Sequence, residues 1–592
     1  MLQKANHLRI INTRNLSIIL RERYLARVWL SCKSDHVSSM TEVKTTQSEI
    51  NNHINCAPHS LEENRNVKSK DRRKSLTQCV AWVLSLTEED RSKYFQTKRL
   101  SEWYAGCAEL RDQIRTNTVS EKYFTLLEEL GVARECTSKM VELWSNKEQC
   151  DEFDHILANS NECTRESVSE SFDSFLKDNR YAELFLTFNV IKARATLAHH
   201  DWSLNIFNGE STYFDWRKRR IKSVRSETGQ YGYGIDHPTF AVELGIGCTV
   251  QCTFCAFAAE KHKENFDFNN LENQQLLRAL ASAFEEVMGA GVGGGMLYYA
   301  TEPNDNPNYI DFVNLWYQET GWKLCTSSAR YDIEWIQNLT EFYGSPTPMM
   351  WPRLSILSRH CMEKIHRHFT PEQLGYPWLL AQQIEVEDER AKVPGGREKH
   401  GLKKLKEVRD CRFYDTPEEV DLESIPQGSI ACVTGFKVNM INKTITATSP
   451  CYTSEKWPLG YRTYGTIDFT TPNSILPALK QLVNRVMLKT LPNHAPIRLR
   501  DDLQLRIKDS GFWLVSACQF HQFTNHSFYT NLGEVLEINN SRKVPWTKSE
   551  FIQELMKRLP NQSPMAVAAF FEKFFNAGFI DETFLSDPAW EL

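Results

Sequence analysis

Cys248-Thr-Val-Gln-Cys252-Thr-Phe-Cys255 is the stretch on which the reading of this chain turns. Three cysteines fall within eight residues, directly after the apolar run Phe240–Leu244, which reads as a strand. A tight loop with this spacing can offer thiolates to three corners of a cubane [4Fe–4S] cluster and leave one iron open. Zinc competes for the same donors. A structural zinc site takes four ligands, however, and no second Cys-x-x-Cys occurs in the chain, so His262 would have to complete it. Three structural cysteines meeting at this spacing by chance is the remaining alternative.

Downstream of the loop, short strands and helices alternate. Leu276, Leu277, Leu280, Phe284, Val287 and Met288 form a helical stripe, and Met296–Ala300, Lys323–Ser328 and Arg353–Leu357 read as strands. This alternation implies parallel strands with right-handed crossovers, hence an α/β sheet or a partial barrel, with the active residues at the C-terminal strand ends.

Upstream, residues 76–225 are expected to be an all-α region of five or six helices. Val80, Trp82, Val83 and Leu86 share a face, as do Tyr123, Leu126, Leu127 and Leu130, with Gly131 as a C-cap. The region closes on the basic stretch Trp216–Arg225, read as a solvated helix face rather than a catalytic or peptide-contacting one. Residues 1–75 are expected to lie outside the fold. The first 39 carry seven Lys and Arg against Glu22 and Asp35, which suits either a mis-assigned start ahead of Met40 or a targeting segment. Residues 41–75 are too polar to offset chain entropy and are expected to be disordered.

Residues 490–592 form a third style. Leu503, Leu505 and Ile507 alternate with polar residues, Asp509-Ser510-Gly511 turns the chain, and Phe512–Val515 returns. Helices follow at Phe551–Leu559 and Pro564–Ala577, the second with Ser563 at N-cap, Pro564 at N1 and Gly578 past its end. Strand, turn, strand and helices suggest a winged-helix-like module.

Composition sets the limits. The 592 residues are 41% hydrophobic and 24% charged, ordinary for a globular protein. A net charge of −5 supplies no basic field, so no nucleic-acid partner is expected. No apolar run approaches about 18 residues, so no membrane span is expected. Sixteen cysteines, mostly scattered and without a secretory signal, suit a reducing, cytoplasmic setting in which close cysteines bind metal.

With Phe254 before the third cysteine, the CxxxCxxC loop resembles the signature of the radical S-adenosylmethionine (SAM) superfamily, over residues 226–470. The resemblance implies a partial (β/α) barrel. It also implies a [4Fe–4S] cluster on Cys248, Cys252 and Cys255, whose open iron chelates SAM and whose electron yields a 5′-deoxyadenosyl radical. Ala300-Thr301-Glu302 stands where the superfamily has Gly-Gly-Glu, so Glu302, with Thr301, is the expected contact for the SAM amino group. Ser327, Ser328, Arg353 and Ser355, near later strand ends, are expected to meet the ribose and carboxylate.

Further motifs narrow the resemblance over 210–470. They are Trp216 to Arg219, His237-Pro238 with Glu243, the run Ala300 to Tyr309, Cys432-Val-Thr-Gly435 with Asn439, Ser449-Pro450-Cys451, and Glu455 to Arg462. Together they resemble the radical SAM peptide epimerases of proteusin or polytheonamide maturation, which turn L-residues into D-residues. The C-terminal module resembles the RiPP recognition element, which captures a leader peptide on an open strand edge. The resemblance implies a precursor peptide with a leader and a flavodoxin- or ferredoxin-type electron donor. It also implies a thiol that returns hydrogen to the far face of the Cα radical, with Cys451 the first choice and Cys432 the reserve. Cys411, Cys432, Cys451 and Cys518 are too scattered for a second cluster. A crosslinking or backbone-cleaving radical SAM enzyme, or a non-catalytic cluster-bearing peptide binder, is the alternative.

Overall fold

The computed structural model describes residues 79–158, 169–204, 211–228, 235, 237–252, 255, 257–344, 352–381, 432–516 and 519–586. The extension over 1–75, Phe254, Cys411 and Cys518 lie outside the described residues. The chain divides into two compact units, Met1–His200 with Ser327–Arg390, and Asp201–Thr326 with Ala391–Leu592. No helix among the described residues is long and apolar enough to cross a membrane.

The first unit begins with helices α1 (Glu88–Gly106), α2 (Ala108–Arg115), α3 (Glu121–Glu129), α4 (Arg134–Ser145), α5 (Lys147–Ala158), α6 (Glu170–Asp178) and α7 (Arg180–Leu204). The Thr87 hydroxyl caps α1 by accepting from the Asp90 amide, and Glu88, Glu89 and Asp90 complement the helix dipole. Trp103, Leu110, Ile114, Leu127, Met140 and Phe153 are fully buried in this unit. A small parallel sheet completes it, from β4 (Ser327–Ser328), β5 (Arg353–Ile356) and β6 (Trp378–Ala381), with helices α11 (Ile333–Tyr343) and α12 (Arg359–His368) between successive strands.

Buried polar bonds join that sheet region to the helices. Arg99 donates to the carbonyls of Leu130 at 2.6 Å and Phe369 at 2.7 Å. Trp103 Nε1 donates to His366 Nδ1 at 2.9 Å, which leaves the ring proton on Nε2, 3.2 Å from Glu102. Burial pushes the His366 pKa down to about 4, against the opposing pull of Glu102. These bonds explain why residues 327–390 group with the N-terminal helices, so that the boundary expected at 225 is not where the two units divide.

The second unit opens with α8 (Ser211–Thr228) and a four-stranded sheet in the order β1 (Phe240–Glu243), β7 (Gly435–Asn439), β8 (Thr444–Pro450) and β9 (Tyr461–Asp468). β1 runs parallel to β7, with Phe240 opposite Phe436 and Glu243 opposite Asn439, and β8 and β9 return antiparallel. All four β1 residues are buried, as a strand covered on both faces requires. Phe240 packs on Phe284 of α9 (Leu271–Met288) and on Trp316 of α10 (Tyr309–Thr320), with ring centroids 4.9 and 5.0 Å apart. The short pair β2 (Gly245–Ile246) and β3 (Glu264–Asn265) closes the cysteine loop, and α13 (Pro472–Val486) packs against α9.

The strands form separate small sheets, and no closed barrel is present among the described residues. Two expectations change here. Met296–Ala300 is not a full strand. Only Met296 bridges to β1, and the Ala300 amide turns to the Glu243 carboxylate at 3.2 Å instead of a ladder partner. The basic stretch on α8 is not a solvated face, because Arg217, Arg219 and Arg220 are at most 2% exposed. Arg217 donates to the carbonyls of Thr434 and His237 at 2.5 and 2.6 Å. Arg219 forks onto Glu582 at 2.7 and 2.9 Å, and Arg220 bonds the same carboxylate. The partner lies 363 residues further along the chain, beyond the reach of any local pattern.

The C-terminal module is an antiparallel sheet of β10 (Gln504–Lys508), β11 (Gly511–Val515) and β12 (Phe520–Thr524), followed by α14 (Ser527–Asn540), α15 (Lys548–Arg558) and α16 (Pro564–Asn576). β12 and α14 add to the elements read from the sequence. Gly578, past the end of α16, has φ +83°, and a Cβ there would sit 2.3 Å from Ser223 Oγ and 2.8 Å from the Arg219 carbonyl. Glycine therefore lets this turn close onto α8.

Two outcomes follow for stability. Glu582→Gln leaves two buried guanidinium groups without a counter-charge, and should cost about 3–5 kcal/mol in urea unfolding. Acid should also destabilise the protein. His366 and His521 keep folded pKa values near about 4, whereas an unfolded histidine takes its proton near 6.5. Stability should fall as pH drops from about 6.5 towards about 4. In His366→Gln the difference between urea midpoints at about pH 7 and about pH 5 should shrink.

Candidate functional site

The cysteine loop leaves β1 through Gly247, whose φ is +80° and where a Cβ would meet the Lys261 carbonyl oxygen at 2.3 Å. Main-chain bonds fix both ends of the loop. Cys248 N–H donates to the Glu260 carbonyl at 2.9 Å, and Lys263 N–H to that of Ile246 at 2.9 Å. Gln251 crosses the loop, its amide donating to the carbonyls of Cys248, Ala259 and Glu260 at 2.7 to 3.0 Å. Asp305 pins the outer side, accepting from Thr249 N–H at 2.8 Å and from its hydroxyl at 2.5 Å.

Cys248, Cys252 and Cys255 are each half-buried. Burial pushes the Cys252 thiol up to about 11, and Cys248 and Cys255 add to the rise, so the Cys252 sulfur lies within electrostatic reach of the other two. Among the described residues, no three His, Cys, Asp or Glu side chains converge into a group that could hold a metal ion. The donor set would nevertheless suit a cubane chemically, since three soft thiols would each serve a different iron and need not meet at one ion. His262, the fourth ligand a zinc site would need, stands 4.0 Å from Asp305 Oδ2.

Thr301 and Glu302 line a small pocket beside this loop with Gly247, His262 and Asn265. Glu302 is buried, and one of its oxygens accepts from the Asn304 amide at 3.1 Å. Asn306, also buried, bonds the Leu244 and Phe266 carbonyls at 3.1 and 3.0 Å and so holds this segment against the loop. Ser327, Arg353 and Ser355 belong to the first unit. Ser327 is the register partner of Arg353, and all three are half-buried on one face of the β4–β5–β6 sheet. Ser328, on the other face, is buried and accepts from the Arg330 amide at 3.2 Å.

The two candidate donor thiols sit in different surroundings. Cys432 is half-buried and packs against the apolar cluster of Ala241, Met296, Tyr299 and Val433, which Phe257 and Tyr461 also join. Cys451 is fully buried after β8, its amide bonded to the Gly460 carbonyl at 2.9 Å. Burial raises its thiol pKa well above the ordinary value, although Arg462 opposes this. Next to it the Tyr452 amide donates to Glu227, which Arg462 also grips at 2.6 Å.

Sequence reading assigned no role to three residues that shape this site. Glu243, the last residue of β1, accepts from Ala300 N–H at 3.2 Å and Asn439 Nδ2 at 3.1 Å, with Lys437 Nζ 3.6 Å away. Lys437 lies 5.4 Å over the Tyr299 ring, and Tyr299 packs on Phe257 with centroids 4.1 Å apart. Glu243 lies in a motif quoted above for its resemblance and Tyr299 in the apolar run Met296–Ala300, and these were the available signals.

No family model matches the chain, and no solved structure matches it. The chain is 31% identical over 381 residues to an uncharacterized protein, y4wI, of Sinorhizobium fredii (strain NBRC 101917 / NGR234), across 64% of this chain and 70% of that protein.

Asp305→Ala removes two bonds from the cysteine loop without emptying the apolar core. Hydrogen exchange of peptides spanning 245–265 should quicken by about tenfold in the metal-free protein, with the global urea midpoint little changed.

Proposed function

The chain belongs to the same family as the y4wI protein of Sinorhizobium fredii, and we propose that it is a radical SAM enzyme that inverts residues of a ribosomally made precursor peptide. The observation that carries this reading is the half-buried cysteine triad on a loop fixed at the C-terminal end of a buried parallel strand. The proposed architecture for 226–470 is the partial (β/α) barrel of that class, and the parallel pairing of β1 with β7, with α9 and α10 packed on Phe240 of β1, supports it.

In this proposal Cys248, Cys252 and Cys255 hold a [4Fe–4S] cluster, and Thr301 and Glu302, which line the pocket beside that loop, contact SAM. When bound, the pair supplies a 5′-deoxyadenosyl radical that removes a hydrogen atom from carbon. The protein's part is to hold the peptide Cα between that radical and a thiol on the opposite face. A donor thiol must stay protonated, meet the substrate and exchange with water. Cys451 stays protonated through burial, but its complete enclosure restricts approach. Cys432 is partly accessible and shares an apolar cluster with Phe257, two residues past Cys255, so it becomes the favoured donor with Cys451 second.

The C-terminal module is proposed to hold the leader. Its layout of three antiparallel strands followed by three helices supports a winged-helix reading, and β10 and β12 are edge strands within the module's sheet. An extended peptide can add to such an edge through main-chain hydrogen bonds. A flavodoxin or ferredoxin is the proposed electron source, in a cytoplasmic setting.

Anaerobic reconstitution should load about four irons and about four sulfides per chain. Replacing all three loop cysteines by Ala should abolish both the charge-transfer absorption and 5′-deoxyadenosine release. In deuterated water, turnover of a precursor peptide should add one deuterium at each inverted Cα, measured by mass spectrometry after chiral hydrolysis. Cys432→Ala should lose D-residues while still releasing 5′-deoxyadenosine. Loss in Cys451→Ala alone would reverse the donor assignment. Product without deuterium, and indifference to both thiols, would favour crosslinking or backbone cleavage.

A further inference from the structure

Beside Cys432, one buried polar atom makes no hydrogen bond among the described residues. Among the described residues the Tyr299 hydroxyl has no hydrogen-bond partner, and the residue is 5% exposed. Its surroundings are otherwise well paired. The Glu243 carboxylate is satisfied by Ala300, Asn439 and Lys437, and the Lys437 ammonium sits between that carboxylate and the rings of Tyr299 and Tyr461. The Tyr299 ring is fixed on three sides, by Phe257 at 4.1 Å, Tyr461 edge-on at 6.2 Å and Lys437 at 5.4 Å. Its orientation is therefore set by packing and not by a bond to its hydroxyl.

Burying a hydroxyl without a partner is costly, because the bonds it made to water are lost and not replaced. Phenylalanine would fill the same space without that cost, so the hydroxyl calls for a partner that arrives from outside the chain. Tyr299 also stands where such a partner must come. It precedes Ala300-Thr301-Glu302, the proposed SAM segment, touches Phe257 beyond the cysteine loop, and shares its apolar cluster with Cys432. A Cα placed to lose hydrogen on one side and gain it from Cys432 on the other brings its own peptide carbonyl into this space.

We propose that the Tyr299 hydroxyl donates a hydrogen bond to a main-chain carbonyl of the bound peptide, at the residue being inverted. The proposal rests on the epimerase reading and adds the group that orients the target. Main-chain recognition makes Tyr299 indifferent to the side chain of that residue. A phenol suits this role, since burial raises its pKa well above the ordinary value and keeps it a neutral donor.

The test is Tyr299→Phe in the full chain, with a fluorescein-labelled core peptide lacking its leader as the probe. Ligand-free Tyr299→Phe should melt at or above the wild-type temperature, because an unpaired hydroxyl has been removed. Core-peptide affinity by anisotropy should fall about three- to tenfold, the worth of one hydrogen bond. With full precursor, more 5′-deoxyadenosine should be released per inverted residue. A melting temperature several degrees lower would mean that the hydroxyl is already bonded within the protein, and would overturn the proposal. So would unchanged core-peptide affinity with unchanged coupling. Wild-type protein that binds the core peptide but makes no D-residue sinks the epimerase reading alone, and the affinity comparison still decides Tyr299. Wild-type protein that ignores the peptide sinks both.

Discussion

The second unit depends on burying four arginines together with enough carboxylate to neutralise them. Arg219 and Arg220 share Glu582, Arg462 grips Glu227, Asp501 and Asp502, and Arg500 clasps Asp502. Removing these charges from water is costly, and only close pairing with further hydrogen bonds repays it. The directions of titration agree. Burial pushes Glu582 up, but its two arginines outweigh that and hold it below the ordinary range. Burial also dominates at Glu227, which rises to about 7 even beside Arg462. That carboxylate accepts the amide that follows Cys451, so the environment of one candidate thiol is set by the same charge network that seats the C-terminal module.

The polar ends of strands carry a second organising role. In a parallel pair the strand termini meet at one edge, and Glu243 and Asn439 lie there in register. Glu243 ties Ala300, Asn439 and Lys437, while Asp305 ties Thr249. The segment proposed to contact SAM and the cysteine loop are thereby held by carboxylates that perform no chemistry themselves. Rigid placement of this kind is what the proposed hydrogen-atom transfer would need, since donor and acceptor must come within contact distance.

Local chemistry was legible in the sequence. The apolar run at Phe240, the cysteine loop after it, the glycine beyond α3 and the Ser563–Pro564 start of α16 all depend on neighbours a few residues away. Long-range pairing was not. A cluster of arginines on a helix looks solvated until a distant glutamate is known to meet it, and Glu582 sits in an unremarkable C-terminal stretch. Met296–Ala300 was apolar enough for a strand, yet a side-chain carboxylate takes the bond a ladder would have made. β12, Phe520–Thr524, lacks a clean alternation, with half-buried positions on both faces. The grouping of 327–390 with the N-terminal helices rests on single contacts such as Trp103 to His366, which no periodicity encodes.

The sharing of Glu582 by two arginines also bears on how the chain is made. α8 emerges from the ribosome 363 residues before the carboxylate that neutralises Arg219. At about 5–20 residues per second the delay is on the order of tens of seconds. Throughout it, burying α8 would place bare guanidinium charges in an apolar interior, so the helix must stay wet and its docking face open. A chain interrupted between Thr524 and Glu582 would contain all sixteen cysteines of the sequence and every described strand yet lack the carboxylate that Arg219 and Arg220 share. Synthesis thus carries its own check, in which a stretch translated late licenses the packing of a helix made long before.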